Sequence, residues 1–362
     1  MNENTKTIPT HPIRAVGLIS GGLDSILATR LMLEQGVYVT VLHFRTGFSY
    51  VERDRAIQTP PPPFPAESAA RQLGVPLEII DVSDAYRSVV LAPRFGYGSG
   101  MNPCVDCRIF LLRQAKAWME ERGYHFVFTG EVLGQRPKSQ MGPSLRTVER
   151  ESGLTGYLLR PLSARLLKPT IPEIRGWVDR ERLYGISGRG RKAQIAMAEQ
   201  FGITTYPQPS GGCCYLIDQT YARRLRDFLV HAGEGESRQT LTGDQILLLA
   251  MGRHLRLPTG HKIIVGRRQQ ENEHIQKIGE NVEGVLLTTL DYPGPTTLLL
   301  LPLPPSAADR EAIELAARIT AGYSDGCESP EVRVEIYPTD GSAVEVQTVR
   351  PFSKQSSRDW FV

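Results

Sequence analysis

In the N-terminal half of the chain, short unbroken apolar runs alternate with stretches whose apolar positions recur every three or four residues. Residues 15–19 form the first run. The pattern breaks at Gly21 and Gly22 and resumes with helical spacing through Ile26, Leu27, Leu31 and Met32. Strand-sized runs return at residues 37–42, 77–81 and 126–129, and helical spacing at 66–73, 109–119, 172–181 and 193–201. Strand, helix and strand in this order imply right-handed crossovers and an α/β, doubly wound parallel sheet. Residues 46–65, interrupted by Pro60 to Pro63, read as a loop, as does the glycine-rich stretch 93–100.

Beyond Tyr215 the pattern changes. Residues 221–230 and 242–249 read as amphipathic helices, the first strongly basic, followed by a strand from Lys262 and a helix opening at Glu271 and Asn272. Strands over 282–290, 296–303, 332–337 and 343–349, with a helix over 306–321, complete an α+β region. The expected organisation is a flexible tail (1–13), an α/β domain (14–214), a basic region (215–280) and a small α+β module (281–362).

Composition narrows the class. The 362 residues are 41% hydrophobic and 22% charged, ordinary for a globular protein. No stretch reaches the roughly 18 uncharged apolar residues of a membrane span. The N-terminus is polar and lacks an apolar signal region, so no membrane association and a cytoplasmic location are expected. The net charge of +3 hides an asymmetry: residues 160–268 hold 18 Lys+Arg against 9 Asp+Glu, and the remainder 24 against 30. A basic middle suggests a polyanionic partner such as RNA, with a merely solvated face as the alternative.

Chemistry concentrates in two places. In Ser20-Gly21-Gly22-Leu23-Asp24-Ser25 a strand turns through glycines into a helix. Free amides, hydroxyls and the helix dipole then face an anion, which makes a phosphate cradle. No lysine follows the glycines, so this is not the Gly-Lys-Ser/Thr nucleotide loop. Gly130, at the end of another strand, allows close approach there, and His43 lies at the end of the second strand. The other place is Asn102-Pro103-Cys104-Val105-Asp106-Cys107, two thiols at a helix start, with Cys213 and Cys214 after Gly211-Gly212. An odd set of five cysteines clustered by position favours metal or redox chemistry over a disulfide framework. Cys104, Cys107 and Cys213 with an open position would suit a 4Fe-4S cluster, and four thiols a structural zinc. A catalytic cysteine/persulfide pair stays open beside these, and Cys327 reads as isolated. Arg189, Arg191 and Lys192 at a helix start could meet phosphate or only solvent.

The hexapeptide from Ser20 to Ser25 resembles the pyrophosphate loop of PP-loop ATP pyrophosphatases. The Thr129-Gly130-Glu131 to Gln140 block is similar to the adenylation domain of tRNA 4-thiouridine synthetases. The Asn-Pro-Cys-x-x-Cys and Gly-Gly-Cys segments resemble tRNA-specific 2-thiouridylases, with Cys104 as an additional thiol that matches cluster-dependent tRNA thiolases. The resemblance covers about residues 14–216 and implies ATP and Mg²⁺ at Ser20, Gly21, Gly22, Asp24, Ser25, Gly130 and Gln135, with His43 and Phe44 beside the adenine. It further implies adenylation of a tRNA uridine carbonyl and replacement of its oxygen by sulfur, using Asp24, Cys104, Cys107 and Cys213. The sulfur would come from inorganic sulfide or a cysteine desulfurase relay, and a homodimer stays open. Residues 240–275 are similar to the RNA-binding domain of NFACT-type proteins, which implies phosphate contacts by Arg253, Arg256, Lys262 and Arg267. The rival readings are a PP-loop synthetase acting on a small molecule and a non-catalytic RNA-binding protein.

Overall fold

A computed structural model describes residues 12–207, 213–231 and 241–362. The tail up to residue 11 and the pair Gly211-Gly212 lie outside the described residues. The chain divides into two compact units. Unit 1 holds residues up to Glu52 and Pro62–Ile217, and unit 2 holds Arg53–Pro61 and Asp218–Val362.

Unit 1 is built on a parallel sheet of β1 (Arg14–Leu18), β2 (Tyr38–Arg45), β3 (Leu77–Asp81), β4 (Phe126–Thr129) and β5 (Leu158–Leu159), in the order β3-β2-β1-β4-β5. This is the doubly wound α/β sheet expected from the alternating runs. Successive strand residues face opposite ways, so each strand feeds two cores. Ala15, Val39, Val41, Phe126 and Phe128 join the apolar face of α1 (Leu23–Glu34). Val16, Leu42, Val127 and Leu158 instead meet Ile109, Leu112, Ala115 and Met119 of α5 (Cys104–Glu121). Gly17 is needed in β1 because a Cβ there would lie 2.3 Å from the Phe128 ring. The order reverses at β1, whose neighbours are β2 and β4, and ligands of such sheets bind beyond the carboxyl ends of the strands at that point.

Three helices lie between those already named: α2 (Tyr50–Ile57), whose residues from Arg53 on belong to unit 2, α3 (Pro65–Leu73) and α4 (Ser83–Leu91). The stretch expected to be a loop over 46–65 thus contains α2. That helix buries no residue, so it shows no apolar face, and its start is fixed by polar bonds instead. Glu52 accepts from the backbone of Gly47 at 2.9 Å and of Ser49 at 3.2 Å. Then come α6 (Gly142–Glu151), a short α7 (Ile171–Ile174) where a longer helix was expected, and α8 (Lys192–Gln200).

Unit 2 carries α9 (Gln219–His231), α10 (Gly243–Leu249), α11 (Gln269–Gly279) and α12 (Arg310–Gly322) around one antiparallel sheet. Its strands are β6 (Arg253–Arg256), β7 (Lys262–Val265), β8 (Gly284–Thr289), β9 (Thr297–Leu300), β10 (Val332–Pro338) and β11 (Glu345–Val349), in the order β11-β10-β8-β9-β7-β6. Alternation again serves two cores. Ile263, Val265, Val285, Leu287 and Leu299 face α12, while Ile264, Leu286 and Leu298 face Leu248, Ile275 and Ile278 of α10 and α11. The sheet runs across residue 280, where the sequence pattern set a boundary between two regions. Arg53–Pro61 belong to this unit: Ile57 packs beside its second core, and His274 bonds the Ala56 carbonyl at 3.1 Å.

Candidate functional site

The loop between β1 and α1 is shaped by backbone needs. Gly21 has φ +83°, a left-handed conformation, and a Cβ there would lie 2.4 Å from the Pro65 carbonyl carbon. Ser25 donates to the Gly22 carbonyl at 2.8 Å, and the Gly22 N–H donates to Ser20 Oγ at 3.3 Å. At Gly22 a Cβ would meet nothing nearer than Ser20 Oγ at 3.4 Å, so the fold itself does not demand glycine there. Gly130, just past β4, is different: a Cβ would come within 2.5 Å of the Asp24 backbone and 2.6 Å of Ser25 N. The ends of β1 and β4 therefore touch the helix start. Gln135 donates to Asp24 Oδ2 at 3.0 Å, and among the described residues the buried Asp24 Oδ1 has no hydrogen-bond partner.

His43 reaches the same loop, its Nδ1 lying 3.0 Å from the Ile19 carbonyl, and its ring is 5.0 Å from that of Phe64. Burial lowers its pKa, so the neutral ring donates to that carbonyl. The Phe44 side chain packs against the α5 core.

The thiols form a second group. Cys104 and Cys107 are half-buried on the first turn of α5, Cys213 is exposed and Cys214 half-buried. Asn102 donates to Cys104 Sγ at 3.0 Å. Burial pushes the Cys107 thiol up to about 12, and Cys213 and Cys104 act on it electrostatically in the same direction. Cys213 is drawn below the ordinary thiol range, first by a hydrogen bond from Cys214 and then by Arg108 and Arg136. The same bond pushes Cys214 up. The two cysteine segments, separated by a hundred residues of sequence, are thus one electrostatic neighbourhood. Among the described residues, no group of three or more His, Cys, Asp or Glu is arranged as a metal cage.

Arg108 was not singled out by its spacing, yet it joins the thiols to a buried ion network. Its Nε lies 3.4 Å from Glu131 Oε1, and Arg160 Nε lies 3.1 Å from Glu131 Oε2. The Arg160 and Glu131 side chains are each 2% exposed, and Thr129 adds a hydroxyl at 3.2 Å. Burial would raise the Glu131 carboxyl, but Arg160 and Arg108 hold it below the usual carboxylate range. Glu131 stands in the Thr129 to Gln140 block quoted above, and only its role was missing.

The basic residues sort into three groups. Arg189 and Lys192 are exposed at the start of α8, and Arg191 is half-buried between them. In unit 2, Arg256 pairs with Asp227 at 2.6 Å, Lys262 with the same carboxylate at 2.7 Å, and Arg267 with Glu271 at 2.7 Å. Lys262 is 3% exposed, and burial lowers its pKa to about 8. The sequence placed this ammonium on phosphate; the structure buries it under α9, where it donates hydrogen bonds to Asp227 and to the Arg224 carbonyl. Among the described residues, Arg253 has no carboxylate partner: it lies over the Tyr323 ring at 4.8 Å and bonds the Gly266 carbonyl at 3.3 Å. His254 between these cations is fully buried, and Nε2 donates to the Met251 and Leu248 carbonyls at 2.8 and 3.1 Å. Burial lowers its pKa well below the ordinary value, with Arg224 and Lys262 adding to the effect.

Residues 14–172 match the family model of the tRNA methyl transferase HUP domain, and residues 252–361 that of the NFACT protein RNA binding domain. Both resemblances read from the motifs stand. The chain is also 26% identical over 217 residues to the tRNA-specific 2-thiouridylase MnmA of Nitratidesulfovibrio vulgaris, covering 58% of this chain and 57% of that one. To the 2-thiouridylase MnmA of Thermotoga sp. (strain RQ2) it is 33% identical over 229 residues, covering 60% and 61%. The chain thus spans about three fifths of the length of these relatives. A solved 4-thiouridine synthetase–RNA complex with bound ATP aligns over 52% of this chain and 41% of that one, at 21% identity and a TM-score of 0.34. No helix among the described residues is long and apolar enough to cross a membrane.

Proposed function

We propose that the protein is an ATP-dependent tRNA sulfurtransferase: unit 1 adenylates a uridine carbonyl and replaces its oxygen by sulfur. The observation that carries this reading is the meeting of the Ser20–Ser25 loop with Gly130 and Gln135 around Asp24 in the unit that also gathers the thiols. The open space at Gly22, where only glycine leaves room for a phosphate, and the unpartnered Asp24 Oδ1 suit ATP with Mg²⁺. The loop amides would hold the pyrophosphate as the uridine oxygen attacks the α-phosphate. That attack turns a poor leaving oxygen into AMP. The similarity to 2-thiouridylases supports tRNA as the substrate.

For the sulfur step, Cys104, Cys107 and Cys213 are the donor type a 4Fe-4S cluster takes, with Arg108 beside them to offset thiolate charge, although among the described residues they are not arranged as a cage. Bound there, a cluster would supply an open iron position for a sulfur ligand. The depressed Cys213 thiol supports a second reading. A persulfide on Cys213, its outer sulfur handed over from the persulfide of a cysteine desulfurase relay, would attack the adenylated carbon with that outer sulfur, expelling AMP. Cys107 would then attack Cys213 Sγ, leaving the sulfur on the uridine and a Cys107–Cys213 disulfide.

One experiment separates the readings. Anaerobically prepared protein is assayed for iron and for thiouridine formed on tRNA with ATP under two sulfur regimes, sulfide alone or a cysteine desulfurase with cysteine, alongside a Cys104→Ala variant. About four irons per chain and an inactive variant support the cluster. No iron and a variant active with the desulfurase but not with sulfide support the persulfide. No thiouridine under either regime, with ATP turned over on a small molecule instead, overturns the tRNA reading.

A further inference from the structure

Of the cations that the motifs pointed to in unit 2, three are paired with acids, but among the described residues Arg253 and a set outside the motifs are not. Arg253 lies 4.8 Å over the Tyr323 ring and Lys354 Nζ 5.6 Å from the same ring. Arg318 lies 5.5 Å over Phe352, whose ring is 5.1 Å from that of Trp360 at 33°. Among the described residues, no carboxylate pairs with Arg253, Arg318, Arg350 or Lys354, in contrast to Arg256, Lys262 and Arg267. Tyr323, Phe352 and Trp360 are half-buried at the edge of the core that holds α12. An open groove beside them is lined by Arg350, Ser353, Lys354 and Gln355, with Glu328 as the acid on its wall.

This platform is held in place by backbone. The Phe352 N–H donates to the Arg318 carbonyl at 2.8 Å, and Arg318 Nε to the Arg350 carbonyl at 3.4 Å. A Cβ on Gly322 would lie 2.1 Å from the Phe352 carbonyl oxygen, so glycine lets the C-terminal strap close on the end of α12. A rigid array of aromatic faces and unpaired cations loses little entropy on binding.

We propose that the surface formed by Arg253, Arg318, Tyr323, Phe352, Lys354 and Trp360 binds an unpaired stretch of RNA, bases stacking on the rings and phosphates meeting the cations. It rests on the reading of unit 2 as RNA-binding and names the form of RNA it takes. Bases inside a duplex keep their faces covered, so aromatic side chains gain only from splayed nucleotides. The cations supply the sequence-independent attraction, released counterions making it salt-dependent.

The test uses the full chain, a fluorescein-labelled oligouridylate, and an RNA duplex of equal length, with affinity measured by anisotropy over a series of salt concentrations. The single strand should bind more tightly than the duplex. Arg318→Ala with Lys354→Ala should lower the slope of log affinity against log salt by about 1.4, at about 0.7 for each phosphate left without its cation. Phe352→Leu should weaken binding on the order of tenfold with the slope unchanged. Lys354 is exposed, so Lys354→Ala alone, with about half the slope change, serves if the other variants unfold on thermal melting. Equal binding of duplex and single strand, no binding of either, or wild-type slopes in Lys354→Ala overturns the proposal. Thiouridine formation is assayed separately: its absence while the variants lower the slope as expected sinks the sulfurtransferase reading alone, and its presence with wild-type slopes sinks only this surface.

Discussion

Two polar clusters, one in each unit, were read from the sequence by the same kind of motif and turned out differently. Around Asp24 the residues converge and stay open, with a buried carboxylate oxygen unpartnered and space left at Gly22. Around Asp227 the residues also converge, but they close on one another: Arg256 and Lys262 share one carboxylate. A polar group with no internal partner is poised for a ligand, whereas one satisfied internally holds the fold. The difference teaches that a basic motif alone does not mark a phosphate contact.

The sharpest way to break the comparison is Asp227→Ala. If Arg256 and Lys262 are structural, removing their shared partner strands two cations, one of them buried. Unit 2 should then lose about 3 kcal/mol or more by urea denaturation. Tighter RNA binding at undiminished stability would instead make them contacts that Asp227 restrains.

Next in size is Asp24→Ala, expected to slow ATP-dependent pyrophosphate release by about a hundredfold, the scale of removing one preorganised charge-stabilising group. Gly22→Val should act similarly with an unchanged melting temperature, since the fold leaves that position free. A melting temperature that falls in step with activity would turn the loop from an open site into a packed one.

A smaller effect concerns pH. His254 is buried neutral, so the unfolded chain takes up a proton below pH 6.5 that the folded one refuses. Its folded pKa is depressed, so stability is full above the unfolded value and falls as pH drops below it, by about 1.4 kcal/mol per pH unit. His254→Gln, which can keep a donor toward Met251, should flatten the urea midpoint of unit 2 between pH 6.5 and 5. An unaltered profile would place the acid sensitivity elsewhere. The smallest expected change is in Arg189→Ala: one exposed cation removed should lower the salt slope of tRNA binding by about 0.9 and spare ATP turnover.

What was legible follows from the same contrast. Parallel strands buried on both faces leave unmistakable apolar runs, and the sheet of unit 1 came out as they implied. The glycines at 21 and 130 announced a tight turn and a close approach, both set by backbone sterics that a sequence encodes directly. Helix α2 was not legible, because it buries nothing and its start depends on Glu52. The fate of Lys262 was hidden for another reason: its partner Asp227 is 35 residues away, and no local spacing reveals such a pair. Arg108 escaped notice likewise, since its meaning comes from Glu131 beyond the end of α5.

The excursion of Arg53–Pro61 into unit 2 has a practical side. The chain passes between the units at 52/53, 61/62 and 217/218, so no single cut yields two intact fragments. A cut after Ile217 would leave unit 2 without the segment that carries Ile57 and the carbonyl bonded by His274. Splitting the gene there would require the short peptide to be given back, and fragment complementation, rather than simple truncation, becomes the natural way to take this protein apart.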